Sequence, residues 1–479
     1  MHEQQILFKR KNDTPMAAQL GSAERPLRVA VIGSGPAGFY AAESLLKRPN
    51  LTCSIDIFNR FPTPYGLVRD GVAPDHQSIK SVTRVFDKIL ENPQVRFFGN
   101  VTFGKDISHD EIKRYYDQII YAVGAQTDRR MGIPGEDFLG SFPATAFVGW
   151  YNGHPDYRDL EFDLSCERVV VVGNGNVAMD VTRILAADPD ELAKSDIADH
   201  ALAALRKSKI REIMMLGRRG PAQSSFTNPE LKEFGELAGV DVRVDPADLA
   251  LDELSEQSLA ENRVAAKNME TLREYALKTT FPAPRRIYMR FLYSPVEILG
   301  EDGKMTGVVI ERNQLVPDGK GGLKAIGNGV KDRIRAGMIL RSVGYKGQPL
   351  ADVPFNEANA TIANVAGRVV DPATQEPVAG EYVVGWIKRG PSGLIGNNKP
   401  DSIATADAMV EDISSVTPID DENRDPAKIS TLLAERGVVI VNSNDWKKLN
   451  EYELNMGKQQ GRPRVKVTRV DEMLSIINK

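Results

Sequence analysis

The 479-residue chain has only two cysteines, Cys53 and Cys166, and they form no C-x-x-C arrangement. That excludes a disulfide scaffold, a cysteine-ligated iron-sulfur cluster and a redox dithiol made by near neighbours. The five histidines are scattered with no metal-ligand spacing between any two, so no metal site is expected. No apolar run approaches the roughly 18 to 20 residues that span a bilayer; a soluble, cytoplasmic protein without a membrane span is expected. Excess charge is missing too: 61 Lys and Arg against 65 Asp and Glu leave a net −4, which speaks against a general nucleic-acid binder. Residues 1–25 lack the apolar centre of a secretory signal. Lys9, Arg10 and Lys11 hint at a transit peptide, but Glu3, Asp13 and Glu24 oppose it, and a disordered polar tail is expected, with Met16 as an alternative start.

The composition that remains, 42% hydrophobic and 26% charged, is that of a globular protein long enough for two or three domains. Residues 28–42, RVAVIGSGPAGFYAA, open with a β-branched run that suits a buried parallel strand and continue as an apolar helix. Between them Gly33, Gly35 and Gly38 keep the G-x-G-x-x-G spacing, with Pro36 and Ala37 inside it. The first glycine makes the tight turn, the second admits a pyrophosphate to the backbone, and the third lets helix pack on strand. The anion rests on the free N–H groups of the helix start, and FAD is the expected ligand. At the end of the next strand, 53–58, a Rossmann unit usually offers an acid to a ribose. Here the place falls to Asn59, which gives up charge assistance. Asp56 points to the opposite face and is not promoted. Residues 61–76, FPTPYGLVRDGVAPDH, read as a structured loop beside the ligand crevice. Its His76 has three readings: it tunes a flavin proton, contacts a nicotinamide, or bonds a backbone carbonyl.

A helix at 79–90 and strands at 95–101 and 116–123 follow, the last ending at Gly124. Residues 168–180, RVVVVGNGNVAMD, repeat the device with Gly173, Gly175 and Ala178, and with Asn174, Asn176 and Val177 in the turn. Two such units are far more specific than one. After a polar helical insertion at 188–207, the strand 210–216 ends at Gly217-Arg218-Arg219-Gly220. An acid there favours NAD; two guanidinium groups favour the 2′-phosphate of NADP. Glu230 either guides the nicotinamide or complements a helix dipole. Residues 245–280 read as charged and helical, 286–293 and 307–311 as strand-like, and 337–344 as a second strand with a terminal glycine. In 382–400, YVVGWIKRGPSGLIGNNKP, a glycine-rich turn precedes a helix at 402–413, and Trp386 either covers a ring or packs.

The ordered series GSGPAG, PYGLVRDGVAPDH, GNGNVAMD, GRRGP and GWIKRGPSGLIGNNKP resembles the adrenodoxin-reductase-like family of ferredoxin-NADP reductases, from about residue 26 through the closing GRPRVKV. The resemblance implies an α/β fold of two Rossmann-like domains, with an NADP domain (127–346) inserted in a discontinuous FAD domain (26–126 and 347–479). It implies that Ala37, Leu67, Val101, Trp386, Gly393, Leu394 and Ile395 lie on FAD. Asn174, Gly175, Asn176, Val177, Arg218, Arg219, Glu230 and Gly393 would meet NADP, with His76 and Glu230 near the nicotinamide and affecting hydride transfer. Where that family commonly has a glutamate for the ribose, this chain has Asn59. The implied reaction passes hydride from NADPH to FAD and then single electrons to a ferredoxin or similar small acidic carrier. Arg285, Arg286 and Arg290 are candidates to dock that carrier, and a monomer is expected. The rival readings are a flavin monooxygenase or diaphorase using NADPH on small acceptors, and a non-catalytic redox sensor that binds NADP(H) and FAD.

Overall fold

The computed structural model describes residues 18–279, 281–319 and 321–479. The chain first lays down four parallel strands, β1 (Leu27–Ile32), β2 (Cys53–Asn59), β3 (Val95–Gly99) and β4 (Gln118–Tyr121), in the order β4-β1-β2-β3. Every position of β1 and β4 is buried, which is why these strands read as unbroken runs rather than as alternation. Helix Pro36–Leu46 follows the first glycine turn and starts on a proline, whose missing N–H has no intrahelical role there. A Cβ on Gly33 would lie 2.6 Å from the Ala122 carbonyl oxygen, and one on Gly38 would lie 2.4 Å from that of Gly33. The turn therefore closes only with bare backbone at both places.

The chain leaves this sheet through β5 (Thr127–Asp128) and builds a second one from β6 (Ser141–Pro143), β7 (Arg168–Val172), β8 (Glu212–Gly217), β9 (Val240–Val244) and β10 (Arg285–Phe291). An antiparallel meander follows, β11 (Tyr293–Glu301), β12 (Lys304–Pro317) and β13 (Leu323–Arg335), before β14 (Met338–Arg341) returns to the second sheet. That sheet runs β6-β14-β7-β8-β10-β9, parallel throughout. β15 (Tyr345–Lys346) then pairs antiparallel with β5, so the chain re-enters where it left. After the small ribbon β16 (Phe355–Asn356) and β17 (Thr361–Ile362), the strands β18 (Asn364–Val365), β19 (Arg368–Val370) and β20 (Pro377–Val383) complete the first sheet, with β20 parallel to β4. Helix Asn398–Glu411 closes back on helix Pro36–Leu46, where the Ser402 hydroxyl donates to the Ala37 carbonyl at 2.9 Å.

Three expectations change. The helix read at 79–90 is two, Gln77–Lys80 and Thr83–Leu90, parted by a turn at 81–82. The segment 307–311 is only the centre of a 14-residue strand, and its partner β13 is exposed along nearly its whole length, so it carries no apolar pattern to read. The expected tail does not extend to residue 25. Leu20 is buried in the first domain's apolar cluster, Gly21 N–H donates to the Arg25 carbonyl at 2.8 Å, and Thr52 N–H donates to the Gly21 carbonyl at 2.7 Å. One large apolar side chain and a paired backbone suffice to dock residues 20–25. Glu3, Lys9, Arg10, Lys11, Asp13 and Met16, on which the transit-peptide and alternative-start readings rest, lie outside the described residues. Asp56 is fully buried in β2, where it accepts hydrogen bonds from Arg28 (3.3 Å), Arg96 (2.7 and 2.5 Å) and the Tyr116 hydroxyl (2.6 Å). It is a structural charge, as its face of the strand suggested.

Candidate functional site

Both glycine turns open on one cleft of about 1690 Å³. A single small-molecule pocket is typically about 300 to 1,000 Å³, so this cleft has room for two dinucleotides. On the side of the first sheet, a Cβ built on Gly35 would meet nothing within 4 Å, which leaves its backbone open to the cleft. The neighbouring Ser34 hydroxyl is buried and has no hydrogen-bond partner among the described residues. Bare backbone, an orphaned hydroxyl and a helix start together fit the pyrophosphate of FAD. Gly33, Gly35, Pro36, Ala37, Asn59, Leu67, Val101, Trp386, Gly393, Leu394 and Ile395 all line the cleft. Gly38 does not; it is buried in the helix, where its missing Cβ permits the approach to Gly33.

Asn59 has a task of its own that a carboxylate cannot perform. Its Nδ2 donates to the carbonyls of Phe61 and Thr63, each at 3.0 Å, so the amide braces the start of the 61–76 loop. Oδ1 remains as an acceptor. Trp386 is held by its indole N–H on the Ser392 carbonyl at 3.2 Å, with its ring centroid 5.2 Å from that of Tyr345.

On the other side, a Cβ on Gly173 would fall 2.4 Å from the Ser342 carbonyl oxygen, and one on Gly175 would fall 3.1 Å from Ser225 Oγ. Asn176 Oδ1 accepts the Thr227 N–H at 2.9 Å, and the Asn174 carbonyl accepts those of Ser225 and Phe226 at 3.0 and 3.2 Å. The turn thus braces the loop that leads to Glu230. Asn174, Val177, Arg218, Arg219 and Glu230 line the cleft with both glycines and Asn176. The Arg218 and Arg219 guanidinium groups have no carboxylate or hydrogen-bond partner among the described residues, whereas Arg60 and Arg341 in the same cleft are paired. Burial, and then the charge of Arg218, push the Arg219 pKa down. Two adjacent uncompensated cations form an anion site, and the 2′-phosphate of NADP is an anion that fits it.

His76 stands between the two halves. Its Nε2 is 3.1 Å from Glu233 Oε2 and its Nδ1 is 3.8 Å from Asp180 Oδ1. Arg183 ties the cluster together, reaching Asp75 at 2.8 and 2.9 Å, Asp180 at 2.8 Å and Glu233 at 3.2 Å. Burial works against the imidazolium, but the hydrogen bond to Glu233 and the charges of Asp180 and Asp75 more than offset it, and the His76 pKa stands above its ordinary value. Such a raised histidine contributes stability that is present below the unfolded pKa and is lost as pH rises through the folded one. Glu233→Gln is expected to lower the His76 pKa, read from the imidazole resonances in an NMR titration; an unchanged midpoint would refute the pairing. Glu230 is one helical turn away on helix Asn228–Glu236, with one carboxylate oxygen buried and without a hydrogen-bond partner among the described residues. Burial, followed by the charge of Asp180, raises its pKa.

Comparison with known proteins agrees with this geometry. Residues 27–215 match the pyridine nucleotide-disulphide oxidoreductase family. The chain is 47% identical to the NADPH-ferredoxin reductase FprA of Mycobacterium leprae (strain TN), covering 94% of this chain and 98% of that protein. It is 38% identical to the mitochondrial NADPH:adrenodoxin oxidoreductase of Salvelinus fontinalis, covering 94% and 91%. The solved structure of Mycobacterium tuberculosis FprA in complex with NADPH matches with a TM-score of 0.90 at 44% identity, over 95% of this chain and 100% of that one. The chain belongs to the NADPH-ferredoxin reductase family.

In this family member one carboxylate near the site was not read from the sequence. Glu233 meets His76, while Glu230, one turn earlier on the same helix, lines the cleft. The i, i+3 spacing puts both glutamates on one helix face, but no local pattern marks Glu233 as the partner of His76. Asp180 and Arg183 were missed as well, since nothing local marks them as partners of a histidine about a hundred residues earlier. The docking candidates also fare differently. Arg285 and Arg286 begin β10, at the end of the sheet opposite the glycine turns and the cleft. Arg285 donates to the Ala186 and Ala187 carbonyls, and Arg290 pairs with Asp248 at 2.6 Å. Arg290 is thus engaged inside the domain, whereas Arg286, 3.7 Å from Asp241, keeps 38% of its side chain exposed.

Proposed function

We propose that the half of the cleft beside β1 is the FAD site and the half beside β7 the NADP site, with His76 and Glu230 where the nicotinamide meets the flavin. The enzyme is a ferredoxin-NADP⁺ reductase that uses FAD and NADPH. The single observation that carries the reading is that two glycine cradles face one shared cavity, with unpaired Arg218 and Arg219 along it. When bound there, FAD would supply the change from two-electron to one-electron chemistry, hydride acceptance from NADPH and single-electron release to the carrier. The chain's own residues do the rest. The turns at 33–38 and 173–178 offer N–H groups to the two pyrophosphates, Arg218 and Arg219 select the phosphorylated coenzyme, and Asn59 accepts from the FAD ribose. His76, donating to Glu233, holds the loop of one half against the helix of the other, and Glu230 faces the nicotinamide carboxamide. Domain limits near 126/127 and 346/347 are proposed because β5 and β15 lie between the two sheets. A small acidic ferredoxin-type carrier, a cytoplasmic location and a monomeric state belong to the same proposal; no helix among the described residues is long and apolar enough to cross a membrane.

Anaerobic mixing of the purified holoprotein with NADPH is expected to bleach the flavin band rapidly and to support reduction of ferredoxin, and of cytochrome c through ferredoxin. NADPH oxidation coupled instead to a hydroxylated product would favour a monooxygenase. A flavin left oxidised by NADPH would leave only a passive sensor.

A further inference from the structure

The residues after helix Ser443–Gln459 form a bridge whose two ends sit in the FAD half and whose middle grips the NADP half. Trp446 and Leu449 before it, and Met473 and Ile477 after it, are buried in the same apolar cluster as Val29 and Ile55. Between these anchors Arg462 reaches across: Nε donates to the Ser195 carbonyl at 3.1 Å, Nη1 to Asp199 at 2.5 Å and Nη2 to the Ile197 carbonyl. Four residues on, the side chain of Lys466 is 1% exposed. Its Nζ donates to the Arg69 carbonyl at 2.9 Å and to the Asn152 carbonyl and Oδ1 at 3.1 Å each.

Those partners lie in two neighbouring helices that both line the cleft, one packed in the apolar cluster of each half of the molecule. Arg69 lies in the short helix Leu67–Asp70, whose Leu67 and Val68 line the FAD side. Asn152 ends helix Ala144–Asn152, whose Ala144, Thr145, Val148 and Gly149 line the same cleft and whose Ala144 and Val148 pack in the second domain's apolar cluster. Carbonyls at a helix C-terminus attract a cation; here one nitrogen serves two of them at once, three donors for three acceptors. The bridge also seats directly on the second helix end. Gly153, at φ 75°, has a missing Cβ that would fall 2.5 Å from Thr468 Cγ2. Burial pushes the Lys466 pKa down to about 7, against the pull of Asp196 and with the push of Lys80 and Arg69. Asp196, 3.6 Å from Lys466, also binds Lys80 at 2.6 and 2.9 Å.

We infer that Lys466 is a positioning residue for hydride transfer: by joining helix Leu67–Asp70 to helix Ala144–Asn152, it sets the gap between the flavin wall and the nicotinamide wall of the cleft. This rests on the function proposed above. Reacting atoms must stand about 3 to 3.5 Å apart, and a misplacement of about 1 Å can cost roughly a hundredfold in rate, so a modest opening of the joint is enough to matter.

Lys466→Met keeps the stem and removes the three donors. Stopped-flow bleaching of the holoenzyme by saturating NADPH is expected to slow at least tenfold. Bleaching by dithionite, which needs no aligned nicotinamide, and the FAD affinity of the reconstituted apoprotein should stay as in the parent, and Lys466→Arg should recover part of the NADPH-driven rate. A parental NADPH-driven rate in Lys466→Met overturns the inference, and so does an equal loss of both bleaching rates, which marks general disruption. Should Lys466→Met fail to fold, Arg462→Met loosens the same bridge nearer the surface and is expected to show the same split with a smaller drop; equal rates there overturn it too. A parent holoenzyme that NADPH cannot bleach defeats the proposed function itself, a result visible before any variant is made.

Discussion

Replacing Arg218 and Arg219 together by alanine is expected to raise the KM for NADPH by about a hundredfold or more while leaving the NADH rate nearly unchanged. Each hydrogen bond to a charged group contributes roughly 1.5 to 3 kcal/mol, and about 1.4 kcal/mol is a factor of ten in affinity. Two bidentate groups on one phosphate therefore reach that size even after a discount for the exposure of Arg218. The expectation is sharpened by what these side chains lack. Neither has a carboxylate partner among the described residues, and the depressed pKa of Arg219 records burial followed by repulsion from its neighbour. A dianion placed between them relieves that repulsion; a ribose hydroxyl does not. Steady-state kinetics with both coenzymes decide the matter, and an unaltered NADPH to NADH ratio in the double variant would remove the assignment.

Glu453→Gln is expected to cost about 3 to 5 kcal/mol of stability, the range for removing one partner of a buried ion pair. Glu453 is fully buried and accepts Arg69 at 2.6 and 2.8 Å, Arg464 at 2.8 Å and the Val467 N–H at 2.8 Å. The amide leaves Arg69 buried with half its pairing and puts a donor where a second guanidinium expects an acceptor. Burial alone would raise the Glu453 pKa, but Arg69 and Arg464 hold it below the ordinary value. A lowered carboxyl contributes stability that is present above the unfolded pKa and is lost as pH falls through the folded one. The parent should therefore lose thermal stability on the acid side more steeply than the glutamine variant. Tm measured from pH 3 to 7 on both proteins tests this, and parallel curves would show that Glu453 is not the group responsible.

What could be read in advance follows a physical line. Glycine turns, buried parallel strands and the Arg-Arg pair were legible because each is a local pattern in which backbone geometry or charge is written within a dozen residues. Asn59 was legible as a departure, but not its reason, since the Phe61 and Thr63 carbonyls it braces become acceptors only once the loop is folded. Glu233 and Lys466 were not legible. The first meets a histidine 157 residues away and the second meets Asn152 across 314 residues, and no propensity or period records such meetings. The exposed strand β13 escaped for the opposite cause: its partner supplies all the pairing, and its own residues carry no alternation of buried and exposed positions.

The short ribbon of β5 and β15 has a consequence for the history of such a chain. Because Asp128 lies directly opposite Tyr345, more than two hundred residues depart and return through a single doorway. A coenzyme module attached in that way can be exchanged or extended at two adjoining junctions, with every strand neighbour of the host sheet left in place.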